Sequence, residues 1–388
     1  MTTGVSLRVA FTHIPRQFWA GGHNYQSNLF AALDQYRTGE FTPVVFAESG
    51  DPAAELDELA RIPGVEVVCS GAFDHRRVGL AEAIVLGVDR AAAAEFGKNR
   101  IDVAFETARF FGWRLPFPTL SWFPDFQHRR LPQLFSPVAR WRREIGFRVK
   151  MASGRTIMLS SESALRDCQA FFPAIAGKAS VVRFASRPSP ELLAADPAEI
   201  VRQYDLPARF FYLPNQFWRH KNHQVVVDAL SMLSARGIEP VVAVSGSKND
   251  PREPDYFRKI MAQIDARQLS RSFRYLGMIP LSHVYALLRA CTALINPSRF
   301  EGWSTTVEEA KAFGVPMILS DLEVHREQTA GVAKYFDTDS PQMLADHLMS
   351  ENQDGKPVPV RNLVPELDDR VATFAGDLAR TIRQALHS

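Results

Sequence analysis

The sequence predicts an α/β protein of two domains, each a parallel sheet with helices between its strands. Three observations carry that reading. Short apolar runs of strand length alternate with helical stretches along the chain. Cys291 to Ser320 reads as a complete strand–loop–helix–strand unit of about thirty residues, and such a unit needs parallel neighbours. Ala185 to Pro197 (ASRPSPELLAADP), rich in Pro, Ala and Ser, divides the alternation into two series. At 388 residues the chain is long enough for two full cores.

In the first series, Leu7 to Thr12 (LRVAFT) is the first strand. A loop follows, then a helix from about Tyr25 to Leu33, with Gly21-Gly22 just before it. Glycines there let backbone approach an anion closely, although the spacing is not the GxGxxG of a dinucleotide fingerprint. Pro43 to Ala47, Val65 to Cys69 and Ile101 to Phe105 are further strands, and Val78 to Phe96 is an Ala-rich helical run. Thr119 to Phe123 (TLSWF) is a strand leading into PDFQHRRLPQLF. Between Arg129 and Arg155 stand Arg129, Arg130, Arg140, Arg142, Arg143, Arg148, Lys150 and Arg155, against the single acid Glu144. Pro137 to Met151 fits an amphipathic helix with Trp141, Ile145 and Phe147 among the bases. Such a face suits an anionic lipid surface, a charged acceptor or plain solvent. Met158 to Ser161 is then a strand, and ESALRDCQAFFP a capped helix ending at Pro173.

Phe210 to Pro214 opens the second series, followed by NQFWRHKNHQVVVDAL, a loop and then a helix. Arg219, His220 and Lys221 bring positive charge to that helix start. Val241 to Ser245 is a strand ending at Gly246-Ser247. Cys291 to Ile295 is another, and its loop carries Pro297 and Gly302. The next helix has two possible capping boxes, Thr305 with Glu308 or Thr306 with Glu309. It stops at Gly314 with Pro316 behind it, and Met317 to Ser320 is the following strand. A helix start has unpaired N–H groups and partial positive charge, so it attracts phosphate. Ser304, Thr305 and Thr306 crowd this one with small hydroxyls, and Glu301 and Glu309 flank it. Ionised carboxylates only accept hydrogen bonds, so beside an anion they must face neutral hydroxyls, as a sugar and a ribose supply. Asp337-Thr338-Asp339 has the DxD spacing of a metal site, but lies far in sequence from these loops and reads as a turn. An amphipathic helix from about Arg370 to His387 closes the chain.

Composition excludes several classes. A net charge of +2 is no nucleic-acid signature, so no nucleic-acid partner is expected. Cys69, Cys168 and Cys291 lack metal spacing and read as buried free thiols of a reducing compartment. No apolar run approaches a membrane span. The start, MTTGVSLRVAFTHIP, lacks a signal-peptide apolar region and reads into the first strand, so a cytoplasmic protein is expected.

The stretch EGWSTTVEEAKAFGVP resembles the donor-site motif of retaining family 4 glycosyltransferases, and the resemblance extends over nearly the whole chain, more closely in its second half. It implies the GT-B fold, two Rossmann-like domains with parallel sheets facing across a cleft. The limits would be 1–190 for the acceptor-side domain, 191–205 for a linker, 206–369 for the nucleotide-sugar domain and 370–388 for a helix crossing back. By the resemblance, Glu301 lies near the hydroxyls of the transferred sugar and Glu309 grips the ribose. Gly302, Trp303, Ser304, Thr305 and Thr306 face the sugar and diphosphate, which Gly21 and Gly22 also approach. Lys221 matches the family's diphosphate-clamping lysine. Gln216 stands where the family has an arginine, unless Arg219 reaches in. Gly246 and Ser247 belong to the donor loops, and Tyr275 to Pro280, with Met278, resembles the loop that holds the base. Many members carry a His-Asp pair at the cleft. Here that place reads Pro124-Asp125, with His128 three residues on, so Asp125 and His128 are the candidates to line it. The other reading is a capping Asp and a surface His.

The activity so implied is transfer of a hexose-type sugar, with retention, from a nucleoside diphosphate sugar to a glycan, glycolipid or lipid-linked acceptor. Lys221 and the helix end would stabilise the leaving group, with no metal and no cofactor. A membrane contact through Arg129 to Arg155 would make the protein peripheral to an inner membrane face. The rival readings are a GT-B sugar-nucleotide epimerase or phosphorylase, and a non-catalytic nucleotide- or carbohydrate-binding member.

Overall fold

The structure, a computed structural model, describes residues 6–107, 109–352 and 357–387. The first five residues, part of the stretch read for a leader, lie outside these. The first sheet has seven strands: β1 (Leu7–Thr12), β2 (Phe41–Ala47), β3 (Glu66–Cys69), β4 (Val103–Glu106), β5 (Thr119–Phe123), β6 (Thr156–Leu159) and β7 (Ala179–Val181). Their order is β3-β2-β1-β4-β5-β6-β7. The second has six: β8 (Phe211–Leu213), β9 (Val242–Val244), β10 (Phe273–Tyr275), β11 (Leu294–Asn296), β12 (Met317–Ser320) and β13 (Lys334–Phe336). Their order is β10-β9-β8-β11-β12-β13. Every pairing is parallel. Within each sheet the order runs 3-2-1-4-5-6, the doubly wound arrangement.

Burial on both faces explains why the strands read as continuous apolar runs. In the second sheet Phe211, Leu213, Val242, Val244, Ile295 and Ile318 fill one core. Their neighbours Phe210, Tyr212, Ala243, Leu294 and Leu319 fill the other. The period of two sends alternate residues to opposite faces.

The chain forms two compact units. Unit 1 comprises Met1–His128, Pro137–Ala185 and Asp368–Ser388; unit 2 comprises Arg129–Ser136 and Ser186–Leu367. The stretch expected as a linker holds two short helices, Pro190–Leu193 and Pro197–Gln203, with Leu192, Leu193 and Ile200 packed into a unit 2 core. The closing helix, Leu367–Leu386, buries Val371, Phe374, Leu378 and Ile382, and the Phe374 ring meets Tyr25 and Phe184 in unit 1.

Several expectations need correcting. The run from Val78 to Phe96 is two helices, Arg76–Val85 and Arg90–Lys98. Gly87, at φ +82°, turns the chain between them, and Asp89 caps the second. Cys291 ends a helix rather than opening a strand, and β11 starts at Leu294. All three cysteines are free, but Cys69 is exposed, since β3 is the edge of its sheet. Asp337–Asp339, by contrast, folds as the turn expected, with the Asp339 amide donating to Asp337 Oδ1 at 2.8 Å.

Candidate active site

In the second sheet β8 lies between β9 and β11, so the loops leaving β8 and β11 part at the point where strand order reverses. Open α/β sheets bind ligands there, beyond the carboxyl ends of their strands. Neighbouring loops are tied in sequence along this edge. Gly246, after β9, donates its amide to Gly277 O, after β10, at 3.0 Å. Gly246 has φ +148°, and a Cβ on it would lie 2.4 Å from Asn215 O, after β8; only glycine fits. Asn215 Nδ2 in turn donates to Asn296 Oδ1, at the end of β11, at 3.2 Å.

Asn296 then organises the loop after β11. Its Oδ1 accepts from the Ser298 hydroxyl at 2.7 Å, and its Nδ2 donates to Ser304 Oγ at 2.9 Å and Thr306 Oγ1 at 3.4 Å. Gln328 closes the other side: Oε1 accepts from the Ser304 amide at 3.1 Å, and Nε2 donates to Ser304 O at 3.0 Å. The helix Thr305–Ala312 starts from this frame, and its cap is Ser304, whose hydroxyl accepts from the Val307 amide at 3.4 Å. Neither expected capping box forms. Glu308 turns to Lys311, 2.9 Å away, and Glu309 is buried with its carboxyl hydrogen-bonded to Tyr285. Among the described residues, no acceptor stands on the amides of Thr305 and Thr306. The helix start therefore offers two open donors.

Lys221 ends the short 3-10 turn Arg219–Lys221, and its Nζ donates to Glu301 Oε1 at 2.7 Å. The amide of Arg299 donates to His220 O at 2.7 Å, so backbone as well as charge joins the loops after β8 and β11. Burial alone would push the Glu301 carboxyl up. Lys221 and His325 outweigh it, with hydrogen bonds from Lys221 and Ser298, and pull it down to about 2. Glu309 has no cation beside it, and burial pushes it up to about 8. The two carboxyls are thus driven in opposite directions, Glu301 toward the ionised form and Glu309 toward the neutral one.

The three-residue basic run contributes a single charge here. His220 is buried and pushed down to about 3, first by burial and then by Lys221. Arg219 directs its exposed side chain toward Glu253, 3.6 Å away. Gln216, where an arginine was sought, uses its carbonyl to accept from the Trp218 amide. Ser247 Oγ accepts from the Asn249 amide at 3.2 Å, Met278 is exposed, and Gly302 and Trp303 form the bend before the cap.

Four other candidates depart from what the resemblance implies. Gly21 and Gly22 lie within the helix Arg16–Tyr36, which breaks at Trp19 (φ −158°, ψ 86°). The Trp19 indole covers Gly22, where a Cβ would meet it at 2.3 Å, so an anion reaches this backbone only if the indole moves. Asp125 is a cap: its Oδ1 accepts from the Gln127 amide at 2.9 Å and lies 3.5 Å from Arg143. His128 is buried, not at the surface. It packs on the Phe147 ring and places Nε2 3.3 Å from Glu144, while burial and then Arg143 lower its pKa.

Sequence reading missed Asn296, Gln328, Tyr285 and His325. Asn296 directly follows the apolar run Cys291 to Ile295, and its place between a strand and a capped helix was the available signal. Gln328 and Tyr285 reach the site from other helices and left no local signal.

Comparison with known proteins adds three findings. Residues 201–356, all within unit 2, match the model of a family described as glycosyl transferases, group 1. No curated protein sequence matches the chain. Solved structures share the two-sheet GT-B fold. Sucrose-phosphate synthase from Thermosynechococcus elongatus is similar with a TM-score of 0.66 and 15% identity, over 98% of this chain and 95% of that one. HepE from Anabaena, in complex with UDP and glucose, gives 0.63 and 17%, over 98% and 95%. A glycosyltransferase from Rickettsia africae gives 0.62 and 15%, over 98% and 94%.

Proposed function

We propose that the protein is a retaining glycosyltransferase that moves a hexose-type sugar from a nucleoside diphosphate sugar to a carbohydrate or lipid-linked acceptor. The observation that carries this is the meeting of Lys221 and Glu301 beside the two open amides of Thr305 and Thr306, at the switch point of the second sheet. The family match to residues 201–356 supports it. The HepE structures with UDP and with UDP-glucose support a uridine donor.

On this reading the diphosphate sits on the Thr305 and Thr306 amides. Lys221 exchanges part of its contact with Glu301 for a phosphate oxygen, and Glu301 then accepts from a sugar hydroxyl. The buried Glu309 faces the ribose. The bond from the anomeric carbon to the diphosphate breaks while the acceptor oxygen bonds to that carbon on the same face. The acceptor proton passes to a phosphate oxygen. Fixed amides and a lysine aimed at the departing charge lower the barrier by several kcal/mol without reorganising.

For the acceptor, we assign the recess at the carboxyl ends of β1, β2 and β4 in unit 1, lined by Ile14, Phe18, Trp19, Glu48, Arg76 and Arg109 among others. Aromatic faces beside polar groups suit a sugar ring. A lipid-linked acceptor would bring the protein to an anionic membrane. The helix Pro137–Ala152 exposes Val138 and Trp141 beside Arg140, Arg142 and Arg148, and the helix Arg76–Val85 exposes Val78, Leu80, Ile84 and Val85. No helix among the described residues is long and apolar enough to cross a membrane.

The engagement of Asp125 and His128 inside the fold favours one rival, a binding member without turnover. Radiolabelled UDP-sugars and GDP-sugars incubated with glycan and lipid-linked acceptors separate the readings. An α-linked product from an α-linked donor supports transfer with retention. An epimerised donor without acceptor identifies an epimerase, and donor binding without any product identifies the non-catalytic rival.

A further inference from the structure

Unit 1 holds a cluster that sugar transfer does not use. His13 directly follows β1, His23 lies in the helix Arg16–Tyr36, and Glu55 lies in the helix Ala53–Ala60. Both histidines are buried and Glu55 is half-buried. One ring nitrogen of each histidine and one Glu55 oxygen lie within 4.8 Å of one another. His13 Nε2 is 3.4 Å from Glu55 Oε2, and His23 Nδ1 is 3.7 Å from the same oxygen. Ligand atoms about 2.0–2.2 Å from a tetrahedral zinc stand about 3.3–3.6 Å apart, so the His13–Glu55 spacing fits as it stands, and His23 would bring Nε2 to the ion while Nδ1 keeps its proton toward Ile14 O. The other nitrogen of His13, Nδ1, is 2.9 Å from Asp51 Oδ2. A carboxylate behind a histidine is the usual outer support of a metal ligand; here the contact is not aligned as a hydrogen bond and would become one as the ring turns onto an ion.

A second observation points the same way. Among the described residues, Nε2 of His23 is fully buried without a partner, and neither His13 nitrogen has a well-aligned hydrogen bond. Two protein contacts compete, and both are compatible with an ion. Glu55 Oε2 accepts from the Arg16 amide at 3.1 Å, and a carboxylate has lone pairs for both. His23 Nδ1 lies 3.1 Å from Ile14 O; a proton held there leaves Nε2 as a bare lone pair inside the protein. His13 and Asp51 also line the unit 1 recess, which gives an entry path.

We propose that His13, His23 and Glu55 bind one divalent transition-metal ion of the zinc class, with Asp51 orienting His13. The two-nitrogen, one-oxygen donor set suits zinc. The ion would clip β1 to the helices Arg16–Tyr36 and Ala53–Ala60. Its role is structural; His13 and Asp51 share the recess assigned to the acceptor, but the metal readout does not depend on transfer.

The test uses the full chain, stripped with a chelator and titrated with zinc chloride against a chromophoric competitor. The expected result is one equivalent bound at submicromolar affinity, with a rise in Tm. His23→Ala and Glu55→Gln should each abolish that stoichiometric step and the rise in Tm. Asp51→Asn should weaken it by about 10–100-fold. His75→Ala, at an exposed histidine outside the cluster, should leave it unchanged. Absence of a stoichiometric step in the wild type, or an equal affinity in Glu55→Gln, would overturn the proposal. Circular dichroism checks the fold of each variant, and if His23→Ala does not fold, the wild type and Glu55→Gln decide.

Discussion

Glu301 and Glu309 belong to one loop and helix, yet their surroundings drive their ionisation in opposite directions. Glu309 is pushed up to about 8 by burial, while in the unfolded chain it ionises near 4.5. Below 4.5 both states hold the proton and burial carries no charge penalty. Between 4.5 and about 8 only the unfolded state ionises, so stability falls as pH rises through that window. Glu309→Gln removes this slope. Urea unfolding should find it more stable than wild type at pH 8 by a few kcal/mol, with the difference vanishing near pH 4. Glu301 is pulled down to about 2, so its contribution is present above 4.5 and is lost as pH falls toward 2. Lys221→Ala strands this carboxylate and should cost about 3 kcal/mol of stability as well as turnover. Lys221→Ala combined with Glu301→Gln should regain part of the stability but none of the activity. The spacing of the two acids was legible in the sequence. The Lys221–Glu301 pair was not, because the partners stand 80 residues apart and only the order of β8 and β11 makes them neighbours.

At the scale of elements, the βαβ unit from β11 to β12 was legible because each signal is local: apolar runs, Pro297, Gly314 and Pro316. The cap was misread. Thr305 and Thr306 have the right spacing to Glu308 and Glu309, but Asn296 and Gln328 hold Ser304 as the cap, and both glutamates have other partners. Ser304→Ala should cost about 1 kcal/mol from the lost cap, and more because the Asn296 amide keeps only the long contact to Thr306 Oγ1. Gly246→Ala tests how the loops are joined. Its φ of +148° and the Asn215 carbonyl leave no room for a methyl, so a loss of about 2–3 kcal/mol is expected in thermal unfolding. The early break of the helix at Trp19 was illegible, since it depends on an indole folding back over Gly22 and lying 5.8 Å from Trp122.

For the whole molecule, the two series of alternating elements, together with the Pro- and Ala-rich stretch between them, made the two-sheet fold readable. What the alternation did not reveal is that Arg129–Ser136 belongs to the second unit; the return of the last helix was an expectation from the family resemblance, not from the alternation. The apolar stripe of the last helix said that it packs on something; the Phe374 contacts with Tyr25 and Phe184 say what. Removing residues 367–388 should therefore expose the Tyr25 face and raise dye binding to unit 1, measured by fluorescence of an apolar probe.

The most direct measurement is a calorimetric titration of the chain with UDP, GDP and their sugar conjugates. We expect saturable binding of one nucleoside diphosphate, weakened by at least about tenfold, or 1.4 kcal/mol, in Glu309→Ala and in Lys221→Ala. Either the absence of saturable binding by any of them, or an affinity unchanged in both variants, would contradict a donor seat built from the loops after β8 and β11.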